Sequence, residues 1–232
     1  MLHSSFYDEV VRILTAQLCD AAKYEIDISY DKRADPTLAL PTPQERLALF
    51  ETARKLFMWD NYVEIGIDHF ATREDGLSVA LENGTLRRNF QGYTDDTADV
   101  LIGVGASSIA RFPQGYAQNA PATSAHTGKI RDGQFSTSRG HLFSDEDKLR
   151  GRLIEALMCD FRIDSAEILD RFAITPDRLN TLYADVMARF PDMLTLTPDG
   201  LFIPPKARPL TRMVARALDA YDLDKAGHSS AI

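Results

Sequence analysis

Residues 145–190 read DEDKLRGRLIEALMCDFRIDSAEILDRFAITPDRLNTLYADVMARF, and this stretch decides the fold of the second half of the chain. Apolar residues return every third or fourth position over 145–160 and again over 165–172, the spacing that gives a helix one buried stripe. Thr175 or Pro176, a cap-type residue followed by a first-turn proline, opens a third helix running to Phe190. Downstream, LTLTPDGLFIP (194–204) places two short apolar runs around Pro-Asp-Gly, the composition of a hairpin turn. A last helix spans about 207–222. The succession helix, helix, helix, hairpin, helix predicts a winged-helix-like module from about residue 145 onward.

Upstream, the pattern is mixed. DVLIGVGASSIARF (99–112) reads as an apolar strand followed by a glycine turn, and the Gly, Ser, Thr, Gln and Asn of 113–140 predict a long irregular connection. NYVEIGIDHF (61–70) alternates and reads as a strand, and 73–86 as a short helix stopped at Asn83-Gly84. Thr42-Pro43-Gln44-Glu45 has the order of a capping box and opens a helix through about Trp59. Before it, three prolines in 31–43 mark a linker. YEIDISY (24–30) reads as a strand, and 5–22, with Phe6, Val10, Ile13, Leu14 and Leu18 at helical spacing, as a helix.

The chain has 232 residues, enough for one large domain or two small ones around a real core. Its 44% hydrophobic and 26% charged content is that of a globular protein, with no apolar run of membrane-spanning length and no signal-peptide pattern. A cytoplasmic location follows. The formal net charge of −8 repels a phosphate backbone, which argues against nucleic acid as a partner. The short cationic stretches, Arg87–Arg88 and Lys206 to Arg216, read as solvated faces. Two cysteines, Cys19 and Cys159, cannot hold a zinc ion or an iron–sulfur cluster, and no CxxC or CxxxCxxC occurs.

Several local patterns invite chemistry. Gly103-Val104-Gly105 lacks the third glycine of a dinucleotide turn and reads as a tight turn. Asp68-His69 has the composition of an acid–base pair or half a metal site, and equally of a structural strand end. Ser107-Ser108 has no nucleophile elbow around it. Phe90, Tyr93, Phe112 and Tyr116 sit among Asn89, Gln91, Gln118 and Asn119, a mixture suited to a flat ligand with polar edges and also to an ordinary loop core.

Taken together, GIDHFA (66–71), LRRNFQGYT (86–94), LIGVGASSI (101–109), YAQN (116–119) and RGRLIEALMCDFRID (150–164) resemble, in this order, the anaerobic coproporphyrinogen III oxidases of the radical S-adenosylmethionine enzymes. DGLFIPPKARPLTRMVARALDAY (199–221) resembles the end of that family's C-terminal domain, so the similarity covers about 40–232. NFQGYT is its most discriminating piece. The resemblance implies a family cofactor set of a 4Fe-4S cluster, held by CxxxCxxC, and S-adenosylmethionine. It implies oxidative decarboxylation of propionate side chains, taking coproporphyrinogen III to protoporphyrinogen IX in heme biosynthesis, with a tetrapyrrole as substrate. It places Phe90 and Gln91 at positions lining the S-adenosylmethionine site and Ile109 at a position packing on the adenosine. No role is assigned to Asn89, Tyr93, Asp68 or His69, and Cys159 is read as a buried core thiol.

The resemblance also sets the expected architecture: α/β to α+β, the remnant end of a radical-SAM half-barrel followed by a mostly helical C-terminal domain. The expected divisions are 1–40, the last α/β unit of a partial barrel with its linker; 41–144, a strand-and-loop region; and 145–232, the helical domain with its hairpin. Because the cluster-binding region precedes the matched part in the family, this chain is expected to be inactive alone and to need a missing N-terminal half. The alternative is a non-catalytic module that binds a porphyrin or adenosyl group.

Overall fold

A computed structural model describes residues 42–221. The helix expected over 5–22, the strand over 24–30, the division 1–40 and Cys19 lie outside the described residues. Those described fall into two compact units, one holding 42–64 and 70–73, the other 65–69 and 74–221.

In the first unit, α1 (Pro43–Trp59) starts where the sequence places it: Glu45 N donates to Thr42 Oγ1 at 3.3 Å and Thr42 N donates back to Glu45 Oε2 at 2.7 Å. Near its end, Phe57 stacks on Phe70 with ring centres 4.5 Å apart and meets Tyr62 edge-on at 5.5 Å. Arg54 closes this end with an ion pair to Glu64 at 2.9 Å. Strands β1 (Val63–Ile65) and β2 (His69–Ala71) make a two-stranded sheet. The single strand expected over 61–70 is therefore two, because Gly66 takes φ 58° and reverses the chain between them.

The second unit continues with α2 (Gly76–Glu82), whose Leu77 N is capped by Asp75 Oδ1 at 2.9 Å. Strands β3 (Arg87–Arg88) and β4 (Tyr93–Thr94) then pair antiparallel, Arg88 opposite Tyr93. Next comes an antiparallel sheet of β5 (Ile109–Phe112), β6 (Gly115–Asn119) and β7 (Thr137–Leu142), with α3 (Thr123–Arg131) between its last two strands. The supposedly irregular 113–140 thus holds two strands and a helix. Before β5, only an isolated Leu101–Arg111 bridge remains of the strand expected from residue 99.

From Ser144 the fold follows its caps. Helix α4 (Asp145–Asp160) opens on a Ser144–Asp147 capping box and buries Leu149, Leu153, Ala156 and Leu157 along one stripe. It ends at Phe161, in the left-handed region at φ 55°, which turns the chain into β8 (Arg162–Asp164). Asp164 caps α5 (Ser165–Arg171) and Thr175 caps α6 (Pro176–Arg189). Strands β9 (Thr195–Thr197) and β10 (Gly200–Phe202) form the hairpin, and β10 sits at the centre of the order β8-β10-β9. A 3-10 turn over Pro205–Leu210 leads into α7 (Thr211–Leu218). One apolar core joins these elements, with Leu153, Leu157, Ile163, Ile168, Leu201 and Val214 fully buried. Ile67, from the turn after β1, packs against the same core.

Candidate functional site

Pairing of Arg87–Arg88 with Tyr93–Thr94 leaves Asn89–Gly92 as a four-residue turn. Asn89 N donates to Gly92 O at 2.9 Å, and Asn89 Oδ1 accepts Gln91 N at 2.8 Å, so the turn is closed at its base and braced inside. That bracing carries Phe90 and Gln91 outward. Gln91 is exposed and the Phe90 ring keeps 51% of its surface in solvent, although one edge meets Tyr116 at 5.0 Å. Tyr116 in turn meets Phe143 edge-on at 4.7 Å.

Ile109 lies at the start of β5, opposite Gln118, and Arg111 lies opposite Tyr116. Alternation along a strand places Ile109, Arg111, Tyr116 and Gln118 on one sheet face. Phe90 thus meets Tyr116, on the sheet face that also carries Ile109, whereas Phe112, opposite Gly115, belongs to the other face. Tyr93 also parts from this aromatic group. Beside Ile109, Asn119 Nδ2 reaches Gly105 O at 3.0 Å, Ser108 Oγ at 3.1 Å and Gly103 O at 3.4 Å, while Ser108 Oγ donates to Gly105 O at 2.6 Å. This bracket bends 103–108 and leaves Ile102 and Val104 62% and 87% exposed.

The Tyr93 phenol goes inward. Its hydroxyl donates to Met158 O at 2.8 Å and accepts Ile67 N at 3.1 Å, and burial pushes its pKa up to about 12. Arg88 lies over the Tyr93 ring at 5.1 Å, with its Nη1 buried and without a hydrogen-bond partner. The His69 ring meets Tyr93 edge-on at 5.1 Å. His69 Nδ1 donates to Asp68 Oδ1 at 2.7 Å, and Asp68 Oδ2 accepts from Arg212 Nη2 of α7.

Cys159 is fully buried, and burial, with Glu155 and Asp160 adding to it, pushes its thiol up to about 12. A thiol held neutral is a core residue and a poor metal ligand. Among the described residues no three His, Cys, Asp or Glu side chains converge to hold a metal ion. The residues present do not fit an iron–sulfur cluster. What they do offer is a half-exposed aromatic residue, Phe90, against Tyr116, and an apolar strand start, Ile109, on the Tyr116 face of the sheet.

Sequence reasoning missed Arg88 and Arg212, which it read as parts of solvated faces. No local signal joins Arg212 to Asp68 across 144 positions. Likewise Arg87 pairs with Glu155 at 2.9 Å, and Arg208 lies over the Phe161 ring at 4.3 Å.

No family model matches the chain. Among curated proteins, it is 59% identical over 197 residues to an oxygen-independent coproporphyrinogen III oxidase of Paracoccus denitrificans, a match covering 85% of this chain and 44% of that protein. It is a relative of the oxygen-independent coproporphyrinogen III oxidases, matching their C-terminal part. An oxidase of the same name from Cereibacter sphaeroides is 58% identical over 187 residues, covering 81% of this chain and 42% of that one. The coproporphyrinogen III oxidase of Escherichia coli, whose solved structure is described as that of a radical SAM enzyme, superposes with a TM-score of 0.75 at 28% identity. That superposition covers 82% of this chain and 44% of the other. The chain thus spans less than half the length of these oxidases, and its mixed helix-and-sheet fold is that of the Escherichia coli oxidase over the superposed region.

Proposed function

We propose that this chain is part of an oxygen-independent coproporphyrinogen III oxidase of heme biosynthesis and contributes Phe90, Gln91 and Ile109 to S-adenosylmethionine binding. The observation that carries the reading is the Asn89–Gly92 turn, which spends two internal hydrogen bonds on holding a large apolar ring half in solvent. Such exposure is unfavourable without a ligand to cover it. S-adenosylmethionine, with a reduced cluster, supplies the family's radical chemistry on propionate side chains. This chain's own part is binding: Phe90 and Ile109 offer apolar contact, and Gln91 offers an amide.

With Cys19 and Cys159 as its cysteines, the chain does not itself supply a CxxxCxxC, and the proposal requires that motif from another polypeptide region. The test is complementation. A separate polypeptide carrying the CxxxCxxC half of the Paracoccus denitrificans relative, purified with this chain under anaerobic conditions, is expected to form protoporphyrinogen IX from coproporphyrinogen III. A folded, soluble pair that makes none counts against the assignment.

The half-exposed Phe90 beside Tyr116 also suits a second reading, a non-catalytic module binding a porphyrin or adenosyl group. Titration with coproporphyrin III, read by its absorption, sinks that alternative if no saturable change occurs at micromolar protein. We keep the division at 1–40, 41–144 and 145–232 as part of the proposal, with a cytoplasmic location. The order α4, β8, α5, α6, β9, β10 supports reading the last part as winged-helix-like. No described helix is long and apolar enough to cross a membrane.

A further inference from the structure

The Arg212–Asp68–His69 arrangement is not used by the proposal above, and stability does not account for it. All three side chains are exposed by more than a third, where ion pairs contribute little. Yet both Asp68 carboxylate oxygens are engaged, one by Arg212 and the other by His69, so the imidazole is fixed in direction and its Nδ1 carries a proton. Nε2 is left free, with no hydrogen-bond partner among the described residues. It lies against the ligand turn: a Cβ placed on Gly92 would come within 3.2 Å of Nε2, and Gly92 sits at φ 144°, where other residues strain. Glycine there keeps the space in front of Nε2 open. Arg88 also lies over the Tyr93 ring, its Nη1 buried without a partner. Arg88, Asp68 and Cys159 are the charged or ionisable groups that act on the Tyr93 hydroxyl. Arg212 answers the Asp68 charge, and the Arg88 guanidinium is held beside the turn over the Tyr93 ring.

We infer that His69 touches a bound carboxylate through Nε2, and that Asp68 and Arg212 are the residues that position it. This rests on reading the Asn89–Gly92 turn as a ligand-binding turn. Two sources offer that chemistry: the amino-acid end of an adenosyl thioether and a propionate of a tetrapyrrole. With the Nδ1 proton held by Asp68, Nε2 has a proton to donate only in the imidazolium, so the contact proposed is the charge-assisted one, in which the carboxylate accepts the Nε2–H of the doubly protonated ring.

The test is a histidine ¹H–¹⁵N correlation spectrum of the uniformly labelled full chain, with His69 assigned by His69→Gln. S-adenosylhomocysteine, methylthioadenosine (the same thioether without the carboxylate) and coproporphyrin III are added in turn. Binding is measured in parallel by calorimetry. A Nε2 shift with S-adenosylhomocysteine but not methylthioadenosine supports the inference with the adenosyl source. A shift with coproporphyrin III alone supports it with the propionate source. His69→Ala is expected to weaken the active probe roughly tenfold, and His69→Gln, which keeps a donor at that reach, to recover most of the loss. Arg212→Ala should broaden the His69 signals in the unliganded chain. The inference is overturned if S-adenosylhomocysteine binds, Phe90→Ala weakens it and the His69 signals do not move. Absence of binding by every probe to the unaltered, folded chain overturns both this inference and the reading of the turn.

Discussion

Tyr93 donates its hydroxyl proton to the carbonyl of Met158, two residues before α4 ends, at 2.8 Å. The last four carbonyls of a helix lack partners within it, and this one is satisfied by a side chain from β4, 65 positions away. The Tyr93 hydroxyl oxygen also accepts the Ile67 amide. One phenol therefore ties the turn after β1 and the strand that closes the Asn89–Gly92 turn to the helical core.

Tyr93→Phe should lower stability by about 1–3 kcal/mol, since it strands a buried donor and a buried acceptor while keeping the ring. Urea denaturation measures it directly. An unchanged midpoint would mean that water or a neighbour replaces the hydroxyl.

Alkaline pH should act through the same group. The folded-state pKa is raised from the ordinary 10.0 to about 12, so ionisation is easier in the unfolded chain. The contribution is complete below pH 10 and is lost as pH rises towards 12. Stability of the unaltered chain should fall over that window, and Tyr93→Phe should flatten part of the decline.

Cys159 is expected to resist thiol reagents at pH 8 until the chain unfolds, because it is fully buried and its pKa is raised to about 12. In a Cys19→Ser background, labelling with a disulfide reagent should follow the urea unfolding curve. Rapid labelling in native buffer would place the thiol at the surface.

Gly66→Ala should cost more than the usual 1 kcal/mol of a glycine in the left-handed region. A Cβ there would overlap the Tyr93 ring, so the Tyr93 bonds would break along with the turn. Thermal unfolding and the loss of any Phe90-dependent ligand affinity report the two effects together.

How much of this was legible in the sequence depends on whether the signal was local. The starts of α1 and α6 were marked by Thr42 and Thr175, whose side chains do the capping, whereas α4 was read from its helical pattern alone and its Ser144 cap went unread. The Pro198-Asp199-Gly200 hairpin was equally plain. Strand β7 was not, because Thr137–Leu142 is exposed along its whole length and pairing with β6 leaves no alternation to read. Conversely, the apolar run Val100–Val104 looked like a strand because its hydrophobic residues suggested burial, whereas Ile102 and Val104 face outward. The site was legible as composition only. Phe90 and Ile109 could be named from family resemblance, but the sheet face that Ile109 shares with Tyr116 depends on register. The Arg212–Asp68 bond depends on tertiary packing that brings α7 to the turn after β1.

The division of buried residues within the larger unit sets an order of opening. The fully buried Leu, Ile and Val side chains of α4 to α7 form a single core, while the sheet of β5, β6 and β7 buries only Ala110 and Gly115. Amide hydrogens of the sheet should therefore exchange with deuterated solvent well before those of Leu153 or Leu157. The Asn89–Gly92 turn is moored to the slow-exchanging part by Arg87–Glu155 and Tyr93–Met158, and Ile109 belongs to the fast one. A ligand gripping both Phe90 and Ile109 would bridge two regions that otherwise breathe separately, and its signature would be slowed exchange in β5 with little change in α4.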